Sequence, residues 1–250
     1  MAYVNNFLGL YFLLLTGYLP CNTIKLYIFV SIHEERRMLM YTCALCGNRS
    51  CRTGQAEHMP ANCPCGEVGA AESLSFYQEE ENRALAYCSA LTEAEGYCKK
   101  SRLEEIMDFA RKLGYQKLGL AFCLGLQKEA RILSKILVAN GFSVSSVICK
   151  VGSVPKECLG LSEEEKLRPG SFEPMCNPIM QARLLNEDKT ELNLMLGLCV
   201  GHDSLFFKHS DAPVTVFAVK DRVLAHNPLG ALYLSDGYYQ NKLYPEQVRE

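Results

Sequence analysis

The chain has 250 residues, of which 48% are hydrophobic and 22% are charged, and its formal net charge is −2. This composition is that of an ordinary globular protein and excludes a largely disordered chain. The near-neutral charge, without a run of Lys or Arg, gives no sign of a nucleic-acid partner. Thirteen cysteines are an unusual number. Several lie in strand-like sequences, where we expect reduced thiols and not disulfides. Because thiols stay reduced in the cytoplasm, we expect a cytoplasmic protein.

The chain begins with an apolar segment. Residues 7–19 are almost wholly apolar, and residues 24–32 are apolar apart from Lys25. Neither run reaches the roughly 20 residues of a membrane-spanning helix, and no Lys or Arg precedes them as in a signal peptide. Residues 1–39 are therefore a kinked membrane anchor through residues 7–32, an interfacial helix, or a leader outside the fold. We favour the leader, and expect no membrane association unless it is retained.

Residues 40–70 form a predicted cysteine-rich module. It has too few apolar residues to fold by burial alone, so we expect a bound metal to stabilise it. Two cysteines separated by two residues can both bind one tetrahedral ion. The candidate metal ligands are Cys43, Cys46, Cys51, Cys63 and Cys65, and His58 is an alternative to one thiol. The spacing matches neither common ferredoxin pattern, so between zinc and an iron–sulfur cluster we favour zinc.

Residues 71–115 are predicted to be a helical connector. Helix-forming residues from Ala70 to Glu95 predict one long helix that ends at Gly96. Ser101 and Glu104 have the spacing of a capping box at the start of a second helix, and Gly114 is a suitable C-terminal stop.

Strands and helices alternate over residues 116–250. Apolar runs predict strands at 117–123, 142–149, 192–199 and 214–219. Helices are predicted at 126–140, from Pro178 to 186, and at 203–208 with Asp203 as N-cap, and residues 152–174 form a long loop. The alternation predicts an α/β domain with a mostly parallel, Rossmann-like sheet of about four strands and helices on both faces.

Cysteines stand where three of these strands end. They are Cys123, Cys149 and Cys199, and Cys176 precedes the helix that opens at Pro178. Ligand sites in open parallel sheets lie beyond the carboxyl ends of the strands, where helix N-termini favour the thiolate form of cysteine. We therefore predict a cofactor-binding site formed by these four thiols. A cluster or a soft metal suits such a set of ligands.

The catalytic candidates are two of these thiols and two histidines. Cys123 and Cys199 are each followed by a glycine-containing turn, His202 lies close after Cys199, and His226 follows the fourth strand. A histidine at this edge is able to bind a metal or move a proton. An exposed loop histidine more often does neither, and both interpretations stay open.

Five stretches of the sequence resemble a family of uncharacterised prokaryotic proteins that are described only as a metal-binding domain of unknown function. They are Tyr41-Thr-Cys-Ala-Leu-Cys46, Arg102-Leu-Glu-Glu-Ile-Met-Asp-Phe-Ala110, Gly119-Leu-Ala-Phe-Cys-Leu-Gly-Leu126, Leu198-Cys-Val-Gly-His-Asp-Ser204 and Lys220-Asp-Arg-Val-Leu-Ala-His-Asn-Pro-Leu-Gly230. The resemblance covers about residues 40–239 and leaves residues 1–39 outside. It implies metal binding through the five cysteines of the module, and it implies no established reaction.

The sequence leaves three functions open. The first is a metal-binding protein that holds zinc or an iron–sulfur cluster in the module and a second site at the sheet edge. The second is a thiol-dependent or metallo-redox enzyme with its chemistry at Cys123 and Cys199. The third is a structural zinc module on an α/β scaffold that binds a protein partner. A metal ion is the one partner that the sequence predicts.

Overall fold

The structure is a computed structural model that describes residues 41–55, 58–60, 62–67 and 70–244. The predicted leader at 1–39, with its anchor alternative at 7–32, lies outside these residues. In the described part of the chain, no helix has the length and apolar character to cross a membrane. The chain divides into two compact units between Asn82 and Arg83.

The first unit carries the cysteine module on short elements. A 3-10 turn at Cys43–Leu45 precedes helices α1 (Ser50–Thr53), α2 (Pro64–Glu67) and α3 (Ala70–Phe76). Among the residues of this unit whose burial is described, only Ser50 is buried. Apolar burial therefore contributes little to the described part of this unit, in agreement with its composition.

The single helix predicted for residues 70–95 is wrong, because two helices occupy this stretch. Helix α3 ends at Phe76 and helix α4 spans Glu80–Gly96. From the first turn of α4 the Asn82 side chain donates hydrogen bonds to the Phe76 carbonyl over 3.1 Å and to the Glu79 carboxylate over 2.9 Å. Such side-chain bonds to the backbone compete with the helical ladder. The helix-forming residues on both sides of the break gave no sign of it.

Helix α5 (Arg102–Lys112) begins as predicted. The Ser101 hydroxyl accepts the N–H of Glu104, and the Glu104 carboxylate accepts the N–H of Ser101 over 2.7 Å. This reciprocal capping box satisfies two N–H groups at the start of the helix. The buried face of α5 consists of Ile106, Met107 and Ala110.

The second unit contains a parallel sheet of four strands in the order β2-β1-β3-β4. The strands are β1 (Lys117–Phe122), β2 (Ser143–Ile148), β3 (Leu192–Leu196) and β4 (Val214–Ala218). The predicted parallel α/β fold is confirmed. Each predicted strand was one to three residues too long at its carboxyl end, so the cysteines lie in the loops just beyond the strands.

Helices cover both faces of this sheet, as predicted. On one face Leu118, Leu120 and Leu194 pack with apolar residues of α5 and of α6 (Gln127–Ala139). On the other face Ala121 and Met195 pack with residues of α7 (Pro178–Glu187) and α8 (His202–His209). The second face also carries the cysteines of the sheet edge.

Helix α8 begins before the predicted residue. Its N-cap is Gly201, which has a φ of 83°, and Asp203 lies in the first turn, where its Oδ1 accepts the N–H of Ser204 over 2.8 Å. The prediction of Asp203 as N-cap is therefore wrong. Gly201 reaches a positive φ without the strain of a side chain, so the chain turns into the helix earlier.

The remaining connections are short elements within loops. The long loop after β2 contains 3-10 turns at Lys156–Leu159 and Glu163–Glu165. After β4 the chain forms helices α9 (Leu229–Tyr233) and α10 (Gln240–Leu243).

Candidate functional site

Two predicted site cysteines lie side by side at the carboxyl edge of the sheet. Phe122 and Ile148 are partners in the adjacent parallel strands β1 and β2, and Cys123 and Cys149 follow them directly. The N–H of Cys149 donates to the Phe122 carbonyl over 2.8 Å, so the pairing continues one step beyond the strands. Both cysteines belong to the buried cluster under α7 and α8, and their exposed fractions are 8% and 2%.

Cys176 joins this pair from the loop before α7. The N–H of Asn177 donates to the Cys149 carbonyl over 2.7 Å, which brings Cys176 next to Cys149. The Cys149 thiol hydrogen-bonds with both Cys123 and Cys176, and its sulfur accepts the N–H of Leu124 over 3.3 Å. Cys123, Cys149 and Cys176 form a row with Cys149 in the middle, which we call the thiol triad.

The hydrogen bonds of the triad favour a proton on its central sulfur. The hydrogen bond from Cys149 lowers the pKa of Cys123 to about 5 and the pKa of Cys176 to about 5. The same two contacts, together with burial, raise the pKa of Cys149. A thiol that donates to two neighbours stabilises their anionic forms. These contacts therefore favour the anionic form of the two outer sulfurs and the protonated form of the central one.

Cys199, the fourth predicted thiol, contacts a cation. Strand β3 ends at Leu196, and Gly197 turns the chain with a φ of 66° before Cys199. A guanidinium N–H of Arg222 donates to the Cys199 sulfur over 3.2 Å. This hydrogen bond is the largest cause that raises the pKa of Arg222. The charge of Cys199 adds to it, followed by the charges of Cys123 and Cys176. Arg222 therefore lies within electrostatic reach of thiols on three different loops.

Two lysines add positive charge beside the triad. A Cβ placed on Gly125 would lie 3.5 Å from the Lys220 Nζ and 4.0 Å from the Cys123 Sγ. The glycine thus leaves the space through which Lys220 approaches the thiol. The positive charge of Lys220 helps to lower the pKa of Cys123. Lys150 acts in the same way on the pKa of Cys176.

The two predicted histidines have different surroundings. The charge of His202, the first residue of α8, contributes to the lowered pKa of Cys176. The ring Nδ1 of His226 accepts the main-chain N–H of Asp221 over 3.1 Å. The main-chain N–H of His226 donates to the Asp221 carbonyl over 2.9 Å. His226 therefore closes the loop that carries Arg222. Its φ of 65° lies in the left-handed region, which is strained for a residue with a side chain.

The thiols of the N-terminal module lie near one another as well. The hydrogen bond between the Cys65 thiol, as donor, and Cys63 is the largest cause that raises the pKa of Cys65. The charge of Cys63 is the next cause, and the charges of Cys51 and Cys43 add to them. Cys43, Cys46 and Cys63 line a cavity of about 320 Å³. Cys65 thus lies within electrostatic reach of three other predicted ligands, and Cys46 shares a cavity wall with two of those three.

Polar bonds between side chains and backbone connect the two ends of this module. The amide of Asn62 donates to the Thr42 hydroxyl over 2.8 Å, and the amide of Asn48 donates to the His58 carbonyl over 2.7 Å. In the described ranges, no three or more Cys, His, Asp or Glu side chains converge as ligands of one metal ion. All cysteines described are free thiols. Metal binding at the module and at the sheet edge stays a prediction.

Sequence reasoning missed two residues of the sheet edge. Lys150 follows Cys149 directly, so a basic residue beside a strand-end thiol was an available signal. Gln181 of α7 is fully buried, and its Nε2 donates to the carbonyls of Phe122 over 3.2 Å and Val147 over 2.7 Å. It bridges the ends of β1 and β2 under the triad. A polar residue within a helical pattern gave no signal of that role.

A family model agrees with the resemblance seen in the sequence. The model, described as Protein of unknown function (DUF1847), matches residues 65–217. The chain belongs to this family. The DUF1847 match includes strands β1 to β3, all of β4 except Ala218, and the four cysteines at the carboxyl edge of the sheet, and it begins at the last cysteine of the module.

A relative extends the comparison beyond the residues that the family model matches. Uncharacterized protein MJ0455 from Methanocaldococcus jannaschii is 46% identical over 201 residues, which are 80% of this chain and 97% of that protein. The prediction of an uncharacterised prokaryotic family is thereby confirmed. No solved structure matches the chain.

Proposed function

We propose that the protein is a thiol-dependent redox enzyme whose chemistry takes place at the carboxyl edge of the sheet. The observation that carries this proposal is the placement of Cys123 and Cys149 at the ends of paired strands, with Cys176 packed against the same buried cluster. A thiolate beside a thiol is the starting arrangement of thiol–disulfide exchange, in which one sulfur attacks and its neighbour resolves the mixed disulfide. The triad supplies both partners within one contact.

The surroundings of the triad support the same chemistry. Lys150, Lys220 and Arg222 all lie within electrostatic reach of its sulfurs, and nearby cations keep a cysteine in its nucleophilic form. The position beyond the carboxyl ends of parallel strands is where open α/β sheets bind their ligands. The sequence predicts the chemistry at Cys123 and Cys199. The contacts favour Cys149 as partner of Cys123 or Cys176.

Disulfide mapping of the full chain tests this proposal. Mild oxidation of the reduced protein is expected to join Cys149 to one of its two neighbours, and peptide mass spectrometry identifies the bond. Cys149→Ser should leave both neighbours reduced under the same conditions. Cys98→Ser is the matched control, because Cys98 is an exposed thiol in the turn between α4 and α5. A triad that stays reduced while Cys98 oxidises would contradict the proposal.

We also propose that the N-terminal module binds a thiophilic metal centre, either zinc or an iron–sulfur cluster. The hydrogen bond between Cys63 and Cys65, with the charges of Cys51 and Cys43 close by, favours this second function. Both centres take four thiolates, so four of the five cysteines suffice. The sulfurs have to converge further than they do in this structure. Metal binding would therefore be coupled to ordering of the module.

Elemental analysis and a visible absorption spectrum of anaerobically purified full chain test the metal proposal. Zinc without colour, or iron with visible absorption, is expected in the parent and in Cys98→Ser. Its loss is expected in the double variant Cys63→Ser/Cys65→Ser, which leaves only three of the five thiols. Retention of all metal in this double variant with loss in Cys149→Ser would contradict the assignment to the module. Zinc with a triad that does not oxidise would leave the adaptor function predicted from the sequence.

A further inference from the structure

We infer that the second unit binds a small primary amine with an apolar body, in a cavity between helices α4 and α5 and the amino end of strand β4. Leu192 and Val214, the first residues of β3 and β4, belong to the wall of this cavity. Both strands have five residues, so at the usual rise of a strand the cavity lies roughly 15 Å from the carboxyl edge. The site is therefore separate from the thiol triad and independent of the proposed redox function.

The cavity has the size and the lining of a small-molecule site. Its volume is about 380 Å³, within the usual range for such sites. All residues of its wall belong to the second unit. Half of them are apolar, namely Leu85, Ile106, Phe109, Leu192, Pro213 and Val214. A ligand with an apolar body would therefore remove apolar surface from water when it binds.

A buried hydroxyl without a partner indicates that this cavity takes a polar group as well. Thr92 of α4 belongs to the wall and is 6% exposed. In the described part of the chain, its Oγ1 has no hydrogen-bond partner. A group left in this state lowers the stability of the protein. Threonine in a helix has two favourable χ1 rotamers, so this hydroxyl is able to turn towards a ligand that offers a hydrogen bond.

Two carboxylates lie on the same part of the wall as this hydroxyl. Glu93 and Thr92 precede Gly96 by three and four residues, so all three share one face of α4. A Cβ placed on Gly96 would lie 3.5 Å from Oε1 of Glu105, which belongs to α5. The Glu105 carboxylate therefore lies against the face of α4 that carries Thr92 and Glu93.

The cations near these carboxylates are bonded to other groups. Arg102 belongs to the wall, but its guanidinium donates to the Val216 carbonyl over 2.7 Å and to the Thr215 hydroxyl over 3.0 Å. The stem of Lys100 passes the same part of α4, and its ammonium contacts Asp108 over 2.8 Å. Among the ion pairs of the described residues, none includes either carboxylate of the wall. The cavity therefore has two free carboxylates and one guanidinium, which favours a cation over an anion.

A primary ammonium matches the free acceptors of the wall. It has three N–H donors, and the carboxylates of Glu93 and Glu105 and the Oγ1 of Thr92 are three acceptors. The apolar body of the ligand then lies along the apolar side chains of α5 and β4. A neutral alcohol has a single O–H donor, and a carboxylate has none.

Three benzyl compounds of similar size test the inference with the full chain. At neutral pH benzylamine is a cation, benzyl alcohol is neutral and benzoate is an anion. Backbone amide shifts of the isotope-labelled protein give both the place of binding and the dissociation constant. We expect shifts in α4, α5 and the start of β4, and an affinity for benzylamine at least about tenfold higher than that for benzoate.

Carboxylate variants test the charge preference. In the double variant Glu93→Gln/Glu105→Gln, the affinity for benzylamine should fall by about tenfold, whereas that for benzyl alcohol should change little. If the double variant does not fold, each single variant should show part of this loss. Glu129→Gln is the control, because Glu129 is an exposed acid in the first turn of α6 and is not part of the wall.

Thr92→Val tests the role of the hydroxyl, because it removes the oxygen and keeps the shape of the side chain. The affinity for benzylamine should fall, while the urea midpoint of the free protein stays or rises, since no hydrogen bond is lost. Thr190→Val is the matched control. Thr190 is also buried, but its Oγ1 is bonded to the Leu185 carbonyl over 3.2 Å and to Oδ1 of Asn193 over 2.7 Å. This variant should have a lower urea midpoint and bind benzylamine as the parent does.

Each contrary result overturns a stated part of the inference. Benzyl alcohol or benzoate as the tightest ligand would overturn the amine as the ligand class. Shifts confined to other elements, or no binding of any of the three probes, would overturn the site. If Thr92→Val loses stability as Thr190→Val does and still binds benzylamine as the parent does, the hydroxyl has only a structural role. None of these results changes the outcome of disulfide mapping, so the proposed redox function stands or fails separately.

Discussion

The main-chain N–H of Asn177 donates a hydrogen bond to the carbonyl oxygen of Cys149 over 2.7 Å. The side chain of the same asparagine caps α7 by accepting the N–H of Met180 over 3.0 Å. Asn177 therefore fixes the start of α7 and the end of β2 with respect to each other. Cys176 lies between these two attachments, so the contact between its sulfur and Cys149 depends on them.

We predict that Asn177→Ala lowers the free energy of unfolding by about 1 kcal/mol, as expected for loss of an N-cap. Formation of the Cys149–Cys176 disulfide should also slow, because the loop that holds Cys176 loses one attachment. The chain contains no Trp, so circular dichroism in urea measures the stability. Asn177→Asp keeps a capping oxygen and serves as the control. Equal disulfide rates in the Ala and Asp variants would count against the positioning role of the cap.

The pH dependence of alkylation tests the state of the triad. The hydrogen bond from Cys149 lowers the pKa of Cys176 to about 5, so Cys176 should be a thiolate throughout the neutral range. Its reaction with iodoacetamide, followed by peptide mass spectrometry, should reach half its maximal rate near that pH. Cys149→Ala removes the largest cause of the shift, so the midpoint should move to higher pH. An unchanged midpoint in this variant would show that Cys149 does not donate to Cys176.

The exposed thiol of Cys98 provides the internal standard for that experiment. Both cysteines are alkylated in the same sample, so differences in reagent or temperature affect them equally. The ratio of the alkylation rate of Cys176 to that of Cys98 should fall in Cys149→Ala at neutral pH. A constant ratio would remove the support that the triad gives to the proposed redox function.

Periodicity and motif spacing were sufficient for the scaffold but not for the contacts between sulfurs. Continuous apolar runs predicted all four strands, and Ser101 with Glu104 predicted the capping box, because both patterns are local. Which thiols touch depends on the loops. Cys149 directly follows its strand, whereas Cys199 lies three residues beyond Leu196, after the turn at Gly197. No local pattern predicts the direction in which such a loop leaves the sheet.

A cluster of ion pairs around Asp108 gives the stability of the second unit a defined pH dependence. The Asp108 carboxylate contacts Lys100 over 2.8 Å and Lys112 over 2.6 Å. These hydrogen bonds lower the pKa of Asp108, and the bond from Lys100 has the larger effect of the two. Because the folded pKa lies below the unfolded value of about 3.9, the stabilisation is present above that pH. It is lost as the pH falls through the folded pKa.

We expect Asp108→Asn to lower the free energy of unfolding at neutral pH by about 0.5–1 kcal/mol, since the pair is partly exposed and solvent screens it. Urea unfolding of both proteins at a series of pH values measures the difference. It should shrink as the pH falls below about 4, where the Asp108 carboxyl of the unfolded parent becomes protonated, and vanish below the lower folded pKa. A difference that persists unchanged into strong acid would mean that packing, not charge, accounts for the effect.

Gly119 in the middle of β1 faces a buried polar network, and this makes it intolerant of any side chain. A Cβ at Gly119 would lie 1.9 Å from Oδ1 of Asn193. That oxygen accepts the Thr190 hydroxyl over 2.7 Å, and Nδ2 of Asn193 donates to the Ser210 hydroxyl over 2.8 Å. Asn193 is fully buried, so moving away would leave polar groups without partners in the core, at a cost comparable to the clash.

We therefore predict that Gly119→Ala lowers the free energy of unfolding by about 1–3 kcal/mol, measured by circular dichroism in urea. Gly230→Ala in α9 is the control. A Cβ there meets only ordinary contacts of 3.5 Å or more with Leu224, so this change should be neutral or slightly stabilising. Asn193→Ala should destabilise the parent but relieve the clash in the Gly119→Ala background. Strictly additive effects in this double-mutant cycle would show that the two residues do not compete for the same space.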